Sequence, residues 1–295
     1  MKKVYFVYNQ YSGKAQIKNQ LADILDIFTK AGFEVTCHPT QKSGDAVEKI
    51  RDRRPDYDMI ICSGGDGTLD EVVTGMMESS FRTPIGYIPA GSTNDFANSL
   101  KIPKNMTEAA EMITKQKLFA CDVGRFNQDT FVYIAAFGLF TDVSYETPQD
   151  IKNVLGHMAY ILEGMKRLHV IKSYHMKVQA DDTEIEDDYA FGMVTNSLSV
   201  GGFKKITGKN VTLDDGVFEV TLIKKPTNAI ELNQLAQNML TRNFDSNMMV
   251  SFKAAHIRFE CSEPIAWTLD GENGGVHEVV DIRNINRGIE ICTPE

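Results

Sequence analysis

Residues 58–69 read Asp-Met-Ile-Ile-Cys-Ser-Gly-Gly-Asp-Gly-Thr-Leu, an apolar run followed directly by a glycine-rich turn. The apolar run predicts a buried strand, and the amphipathic segment at residues 69–77 predicts a helix. Glycines let the backbone turn tightly and approach another group closely, and the start of a helix offers unpaired N–H groups to an anion. The stretch therefore predicts a strand, turn and helix that together could hold a phosphate.

Similar units surround this stretch in the first part of the chain. Helical segments begin near Ala15, Asp45, Asn94 and Glu108, and further apolar runs lie at residues 4–8, 33–37 and 84–88. Strands that alternate with helices form a parallel sheet covered on both faces. We therefore predict an α/β domain for this part of the chain.

Beyond about Cys121 the pattern changes to long strand-like stretches. They lie at residues 131–140, 174–178, 190–196, 217–223 and 255–260. Two helices are predicted among them, near residues 155–168 and 229–240. The acidic run at 181–188 predicts a solvated hairpin. The second part is therefore predicted to be mainly β, as a sandwich or a flattened barrel.

Small polar residues follow the other predicted strands of the first part, at 9–13, 40–45 and 89–94. The carboxyl ends of parallel strands lie at one edge of the sheet, where ligands bind in open α/β folds. Asp66 at this edge would repel a phosphate unless a cation such as Mg²⁺ intervened. The sequence predicts a nucleotide-phosphate pocket there, although each loop taken alone fits a plain turn or, at Thr93 or Asn94, a helix cap.

Two Asp-Gly pairs in the second part place carboxylates in loops. They are Asp214-Asp215-Gly216 and Leu269-Asp270-Gly271-Glu272. Carboxylates bind metals and accept protons. Asp-Gly is also a common hairpin turn, so for both pairs a purely structural role stays open.

The composition narrows the classes of function. A formal net charge of −9 over 295 residues argues against nucleic-acid binding, which requires a basic face. No apolar run approaches the ~20 residues needed to cross a bilayer, and the start of the chain resembles a first strand rather than a signal peptide. The five cysteines are scattered, which favours free thiols. These features predict a cytoplasmic globular protein.

Four motifs taken in order resemble the diacylglycerol kinase catalytic-domain family, in particular its soluble bacterial lipid kinases. They are G-G-D-G-T at 64–68, P-A-G-S-T-N-D-F-A at 89–97, L-D-D-G at 213–216 and L-D-G-E at 269–272. The first motif also occurs in NAD kinases, whereas the second is characteristic of the lipid kinases. Ser92, where many relatives carry threonine, retains the hydroxyl.

The resemblance implies a Rossmann-like α/β domain for ATP at residues 1–123, completed by a returning C-terminal strand at 286–295. A β-sandwich domain for lipid binding and catalysis would occupy residues 124–285, and the active site would lie in a cleft between the two domains. The implied activity transfers a phosphoryl group from ATP, with Mg²⁺, to the hydroxyl of diacylglycerol or a related lipid alcohol.

The resemblance also implies a role for each motif residue. The expected ATP contacts are Asn9, Gln10, Tyr11, Ser12, Gly13, Thr40, Gly64, Gly65, Asp66, Gly67, Thr68, Glu71, Gly91, Ser92, Thr93 and Asn94. Asp215 would bind Mg²⁺ together with the carbonyl groups of Thr212 and Val217. Asp66 would help to position metal and phosphate, and either Asp270 or Glu272, with a slight preference for Glu272, would accept the proton of the lipid hydroxyl.

Two other functions stay open at this point, an NAD kinase and a nucleotide-binding regulator without catalysis. The expected partner is a lipid at the membrane surface, and a peripheral membrane contact or a homodimer is compatible with the sequence. Two basic groups are candidates for that contact, Lys166 with Arg167, and Lys204 with Lys205 and Lys209.

Overall fold

The structure is a computed structural model, and it describes residues 1–53, 56–138, 172–200, 203–204, 211–241 and 247–294. The chain forms two compact units. Unit 1 comprises Met1–Val123 and Asn286–Glu295, and unit 2 comprises Gly124–Ile285. No helix in the described ranges is long and apolar enough to cross a membrane.

Unit 1 contains strands that alternate with helices, as predicted. The elements are β1 (Lys2–Tyr8), α1 (Ile17–Lys30), β2 (Phe33–Pro39), α2 (Asp45–Arg51), β3 (Met59–Gly64), α3 (Asp66–Glu78), β4 (Ile85–Pro89), α4 (Asp95–Ser99), α5 (Met106–Thr114) and the start of β5 (Leu118–Phe126). The last residues of the final strand, β15 (Glu272–Cys292), also belong to this unit.

The sheet of unit 1 is parallel and has the order β2-β1-β3-β4, followed by the end of β15. Within this order β2 lies on one side of β1, whereas β3 and β4 lie on the other side. Right-handed crossovers therefore place α1 on one face and α2 and α3 on the other. Accordingly α1 packs with α5, and α2 packs with α3. The order reverses between β1 and β3, so their carboxyl ends form the topological switch point, where ligands bind in such sheets.

Unit 2 is antiparallel and mainly β. It contains β6 (Asp129–Phe131), β7 (Ile134–Gly138), β8 (Tyr174–Ala180), β9 (Thr183–Thr195), β10 (Ser199–Val200), β11 (Phe203–Lys204), β12 (Phe218–Lys224), α6 (Ala229–Thr241), β13 (Met249–Ala254), β14 (His256–Leu269) and most of β15. The long strands β9 and β14 each pair with β7 at one end and with β8 at the other. These four strands thus close on themselves, as in a flattened barrel.

Aromatic side chains fill the interior of this closed arrangement. The ring of Trp267 lies with its centroid 4.8 Å from Phe137 and 5.2 Å from Phe259. All three side chains are buried, and they belong to one apolar cluster that extends over β7, β8, β9, β12 and β14. The predicted fold class, an α/β unit followed by a β-sandwich unit, is confirmed.

One predicted strand was wrong in its extent. Residues 131–140 were predicted as a single strand, but the structure ends β6 at Phe131 and begins β7 at Ile134. Val132 and Tyr133 leave the ladder because their N–H groups, with that of Ile134, donate to the carboxylate of Asp270 instead. Residues 139–140 and the helix predicted near 155–168 lie outside the described residues.

Candidate active site

The loops at the carboxyl ends of β1 to β4 lie side by side. The loops after β1, β2 and β4 each begin with a hydrogen bond to the neighbouring strand, from Asn9 N to Ser63 O (2.9 Å), from Thr40 N to Tyr8 O (2.9 Å) and from Ala90 N to Gly64 O (2.7 Å). These bonds keep the first residues of the loops as close together as the neighbouring strands of the sheet. The polar segments that the sequence placed at strand ends therefore form one edge, here called the loop edge and comprising residues 9–13, 40–45, 64–68 and 89–94.

Glycines allow these loops to touch backbone to backbone. A Cβ atom on Gly13, whose φ is +55°, would lie 2.2 Å from the carbonyl oxygen of Ala90. One on Gly91 would lie 2.6 Å from Cα of Gly65. Neither position tolerates a side chain, because atoms cannot approach that closely without a shift of the backbone. The loops after β1, β3 and β4 are thereby brought together at the switch point, and Gly65 lies among them.

Asp66, the first residue of α3, joins two of the sequence motifs. Its carboxylate accepts hydrogen bonds from the backbone N–H groups of Asp95 (3.2 Å) and Phe96 (3.4 Å) at the start of α4. A helix start needs such an acceptor for its unpaired N–H groups. The expected nucleotide contact is therefore also the cap of a helix that begins 29 residues further along the chain.

Asn94 has a structural role that the sequence did not identify. It occupies the cap position of α4 with φ +53°, yet its side chain makes no cap hydrogen bond there. Instead Oδ1 accepts from Gly91 N (2.9 Å) and Nδ2 donates to Gly91 O (2.8 Å), which closes the loop after β4. The buried hydroxyl of Tyr87, on β4, donates to Gly64 O at 3.2 Å and so holds the end of β3 next to β4. Ser92 is exposed, and Thr93 is half-buried.

Glu71 holds the loop after β2. Its two carboxylate oxygens accept from the N–H groups of Gly44 (2.9 Å) and Ala46 (3.2 Å) at the start of α2. Asp45 secures the same loop through the amide of Gln41 and Nε2 of His38, both at 2.9 Å. Burial raises the pKa of Asp45, but these hydrogen bonds outweigh it and hold that pKa below its ordinary value. Thr40 is buried within this segment.

The loop after β1 is partly exposed. The side chain of Asn9 accepts from Tyr11 N at 2.9 Å, and Asn9 O accepts from Ser12 N at 3.3 Å, so the turn is internally bonded. The ring of Tyr11 is 70% exposed, with Lys18 Nζ 4.4 Å from its centroid. Gln10 and Ser12 are half-buried. Thr68 packs its side chain against Gly64, while Gly67 is half-buried.

Asp270 and Gly271 form the two-residue turn between β14 and β15. Both have positive φ, +51° and +87°, as a type I′ hairpin requires, and Leu269 pairs directly with Glu272. The carboxylate of Asp270 points inward, where it accepts from the backbone N–H groups of Val132 (2.5 Å), Tyr133 (3.0 Å) and Ile134 (2.9 Å). The side chain is 4% exposed. Its oxygens are thus committed to structural bonds.

Glu272 differs from Asp270 in its surroundings. It is exposed at the first position of β15, directly after the turn. Since the turn is fixed by the buried Asp270 carboxylate, the backbone that carries Glu272 is also fixed. Of the two carboxylate residues in this motif, Glu272 is exposed and Asp270 is buried.

Asp215 lies in the loop before β12, and its carboxylate is paired with a lysine. Oδ2 of Asp215 is 3.0 Å from Nζ of Lys253, and Oδ1 accepts weakly from Val217 N at 3.4 Å. Thr212 is exposed, and Val217 is half-buried. In the described ranges no three His, Cys, Asp or Glu side chains form a metal-binding group. A metal at Asp215 would therefore need backbone oxygens as well.

Glu219 and Lys253 form an ion-paired group with Asp215 that the sequence analysis did not identify. Glu219 lies on β12 with its side chain 6% exposed, and its Oε1 is 3.0 Å from Nζ of Lys253. Burial raises the pKa of Glu219 against the effect of this ion pair. The only available signal was an ionisable residue within an otherwise apolar strand, Phe218-Glu219-Val220. Hard oxygen donors such as these carboxylates and nearby carbonyl groups fit Mg²⁺.

Comparisons with known proteins agree with this architecture. Residues 3–126 match the model of the diacylglycerol kinase catalytic domain. Residues 137–284 match the YegS C-terminal NAD kinase beta sandwich-like domain. A parallel α/β unit with a glycine-rich loop edge, joined to a sandwich unit of this kind, defines a kinase with two domains.

Curated relatives and a solved structure extend the match over the whole chain. A diacylglycerol kinase of Bacillus subtilis (strain 168) is 32% identical over 100% of this chain and 97% of the relative. One from Staphylococcus haemolyticus (strain JCSC1435) is 33% identical over 98% of this chain and 87% of the relative. A candidate diacylglycerol kinase from Bacillus anthracis str. Sterne superposes with a TM-score of 0.85 at 26% identity, covering 99% and 95% of the two chains.

The chain therefore belongs to the diacylglycerol kinase catalytic-domain family, and it is a lipid kinase. The loop-edge residues all lie in unit 1, whereas Asp215, Asp270 and Glu272 lie in unit 2. That the two groups face each other across a cleft stays a prediction.

Proposed function

We propose that the protein transfers the γ-phosphoryl group of ATP, with Mg²⁺, to the hydroxyl of diacylglycerol and releases phosphatidic acid and ADP. The observation that carries the proposal is the loop edge at the switch point, where three glycine loops meet beside Gly65, the residue before Asp66. Relatives named diacylglycerol kinases suggest the acceptor.

The proposed roles of the residues follow from their positions. The backbone of the loop edge and the start of α3 would bind the phosphates of ATP. Asp66 would orient that region, since its carboxylate also fixes the start of α4. Asp215, with the carbonyl groups of Thr212 and Val217, would hold Mg²⁺, which supplies neutralising charge for phosphoryl transfer.

Glu272 is proposed as the proton acceptor. The lipid hydroxyl oxygen would form the new bond to the γ-phosphorus while the bond to the ADP oxygen breaks, and the hydroxyl proton would pass to the Glu272 carboxylate. Asp270 is a positioning residue in this proposal, because its oxygens are engaged by three backbone N–H groups.

The remaining assignments are also proposals. A peripheral contact with the membrane would bring the enzyme to its substrate, and the proposed assembly is a homodimer. Of the basic residues suggested for that contact, Lys166, Arg167, Lys205 and Lys209 lie outside the described residues, and Lys204 is placed only as the second residue of β11.

The test incubates the purified protein with labelled ATP and Mg²⁺ and, separately, diacylglycerol micelles, a total lipid extract or NAD. Labelled phosphatidic acid is expected from the first two. Glu272→Gln should lower turnover by about 100- to 10,000-fold. Glu278→Gln, an exposed glutamate on the same strand, should leave it unchanged. Labelling of NAD with no labelled lipid would overturn the proposal.

A further inference from the structure

The ammonium group of Lys253 joins two carboxylates of unit 2. Its Nζ lies 3.0 Å from Oδ2 of Asp215 and 3.0 Å from Oε1 of Glu219. Glu219 and Lys253 are directly opposite each other in the antiparallel pair β12–β13, so their side chains share one face of the sheet. The strand register thus brings the lysine to the carboxylate of Asp215.

Glu219 keeps this lysine in place. Its side chain is 6% exposed, although Lys253 and Asp215 are about one third exposed, at 36% and 30%. A buried carboxylate requires a positive partner, because the loss of hydration is otherwise uncompensated. Lys253 supplies that charge from the neighbouring strand.

The charges of this cluster do not balance. Among the described residues, the carboxylates of Asp215 and Glu219 both lie within ion-pair distance of this one ammonium group. A divalent cation without the lysine would match the two negative charges, whereas a divalent cation beside the lysine would leave an excess positive charge. The lysine and a metal are therefore alternative partners for these oxygens.

We infer that Lys253 is an internal cation that competes with divalent metal for Asp215. The inference rests on the proposed function in one respect, the assignment of Asp215 as a metal ligand. Metal binding would require the ammonium group to leave Oδ2 of Asp215. Lys253 therefore raises the Mg²⁺ concentration at which the site is occupied. The ammonium group must be displaced from Asp215, and its positive charge repels the metal ion.

The experiment measures Mg²⁺ binding to the full chain by titration calorimetry, together with the rise in Tm that Mg²⁺ produces. Lys253→Met should bind Mg²⁺ at least about tenfold more tightly than the wild type and gain more Tm on adding Mg²⁺, because binding to the folded state stabilises it. Lys253→Arg, which keeps the charge, should behave like the wild type.

Two further variants locate the effect. Lys224→Met removes a similar ion pair from β12, that of Lys224 with Asp187, and should leave Mg²⁺ affinity unchanged. In the Lys253→Met background, Asp215→Asn should abolish the gain. Circular dichroism spectra show which variants are folded, and Lys253→Gln replaces Lys253→Met if the latter is not.

Unchanged or weaker Mg²⁺ binding by the folded Lys253 variants overturns the inference, and so does a gain that survives Asp215→Asn. The lipid kinase assay of the wild type is run in parallel. Loss of the proposed diacylglycerol activity with the expected binding pattern would reject the proposed function while supporting competition at Asp215.

Discussion

Replacing Asp270 by asparagine tests whether Asp270 has a structural role in the β14–β15 turn that is distinct from the proposed role of Glu272 as proton acceptor. Asparagine adopts positive φ readily and is favoured before glycine in type I′ turns, so the turn itself is retained. The change removes only the negative charge and one of two acceptor oxygens. Any loss of stability then reports the hydrogen bonds to Val132, Tyr133 and Ile134.

The expected loss follows from those three bonds. If the amide nitrogen replaces Oδ2, the buried N–H of Val132 loses its acceptor, which costs about 1–3 kcal/mol. The bonds from Tyr133 and Ile134 also change from charge-assisted to neutral, at about 1 kcal/mol each. Together these effects predict that Asp270→Asn lowers the free energy of unfolding by about 3–5 kcal/mol.

Urea unfolding followed by tryptophan fluorescence measures this loss. Trp267 is the only tryptophan, is buried, and lies on β14 three residues before Asp270, so its emission reports unit 2. Glu272→Gln is the matched control, because this exposed residue should change stability by less than about 0.5 kcal/mol while lowering turnover. A stable but inactive Asp270→Asn together with a fully active Glu272→Gln would refute the reasoning.

Three other changes test the loop edge. Gly13→Ala should destabilise the protein by at least about 2 kcal/mol in thermal unfolding and weaken ATP binding. Gly32 is the control, since it has positive φ but no atom within 4 Å of the position that a Cβ would occupy, so Gly32→Ala should cost only the backbone strain of about 1–2 kcal/mol. Asp66→Asn should cost about 1 kcal/mol as a weakened helix cap but lower turnover far more, measured by Tm and by the lipid assay. Asp45 has a lowered pKa in the folded chain, so the stability that it contributes is present above its ordinary pKa and is lost as the pH falls through its pKa in the folded state. Asp45→Asn should therefore reduce the loss of stability below about pH 5. An unchanged dependence of stability on acid pH would contradict this.

Local patterns were sufficient to predict the α/β unit. The apolar run ending at Ser63 and the glycines after it define a strand and a turn within ten residues, and the repetition of that pattern defines a parallel sheet. Because parallel strands end at one edge, the sequence alone places the neighbouring loops next to each other.

Side-chain partners distant in the sequence could not be predicted in the same way. Asp270 accepts from residues 136–138 positions away, so its inward orientation and the break between β6 and β7 have no local signal. The pairing of Lys253 with Asp215 depends on the register of β12 and β13, which opposes Glu219 to Lys253. A register shift by one residue would place the lysine on the other face of the sheet.

The final strand has a consequence for synthesis on the ribosome. Ile291 pairs with Ile85 of β4, so a strand whose own side chains are buried depends for its outer neighbour on residues translated about 200 positions later. Until then β4 has an unpaired edge, which is a template for association with other chains. Nascent chains that terminate before residue 286 should therefore aggregate or be degraded, even though residues 1–123 have already been translated.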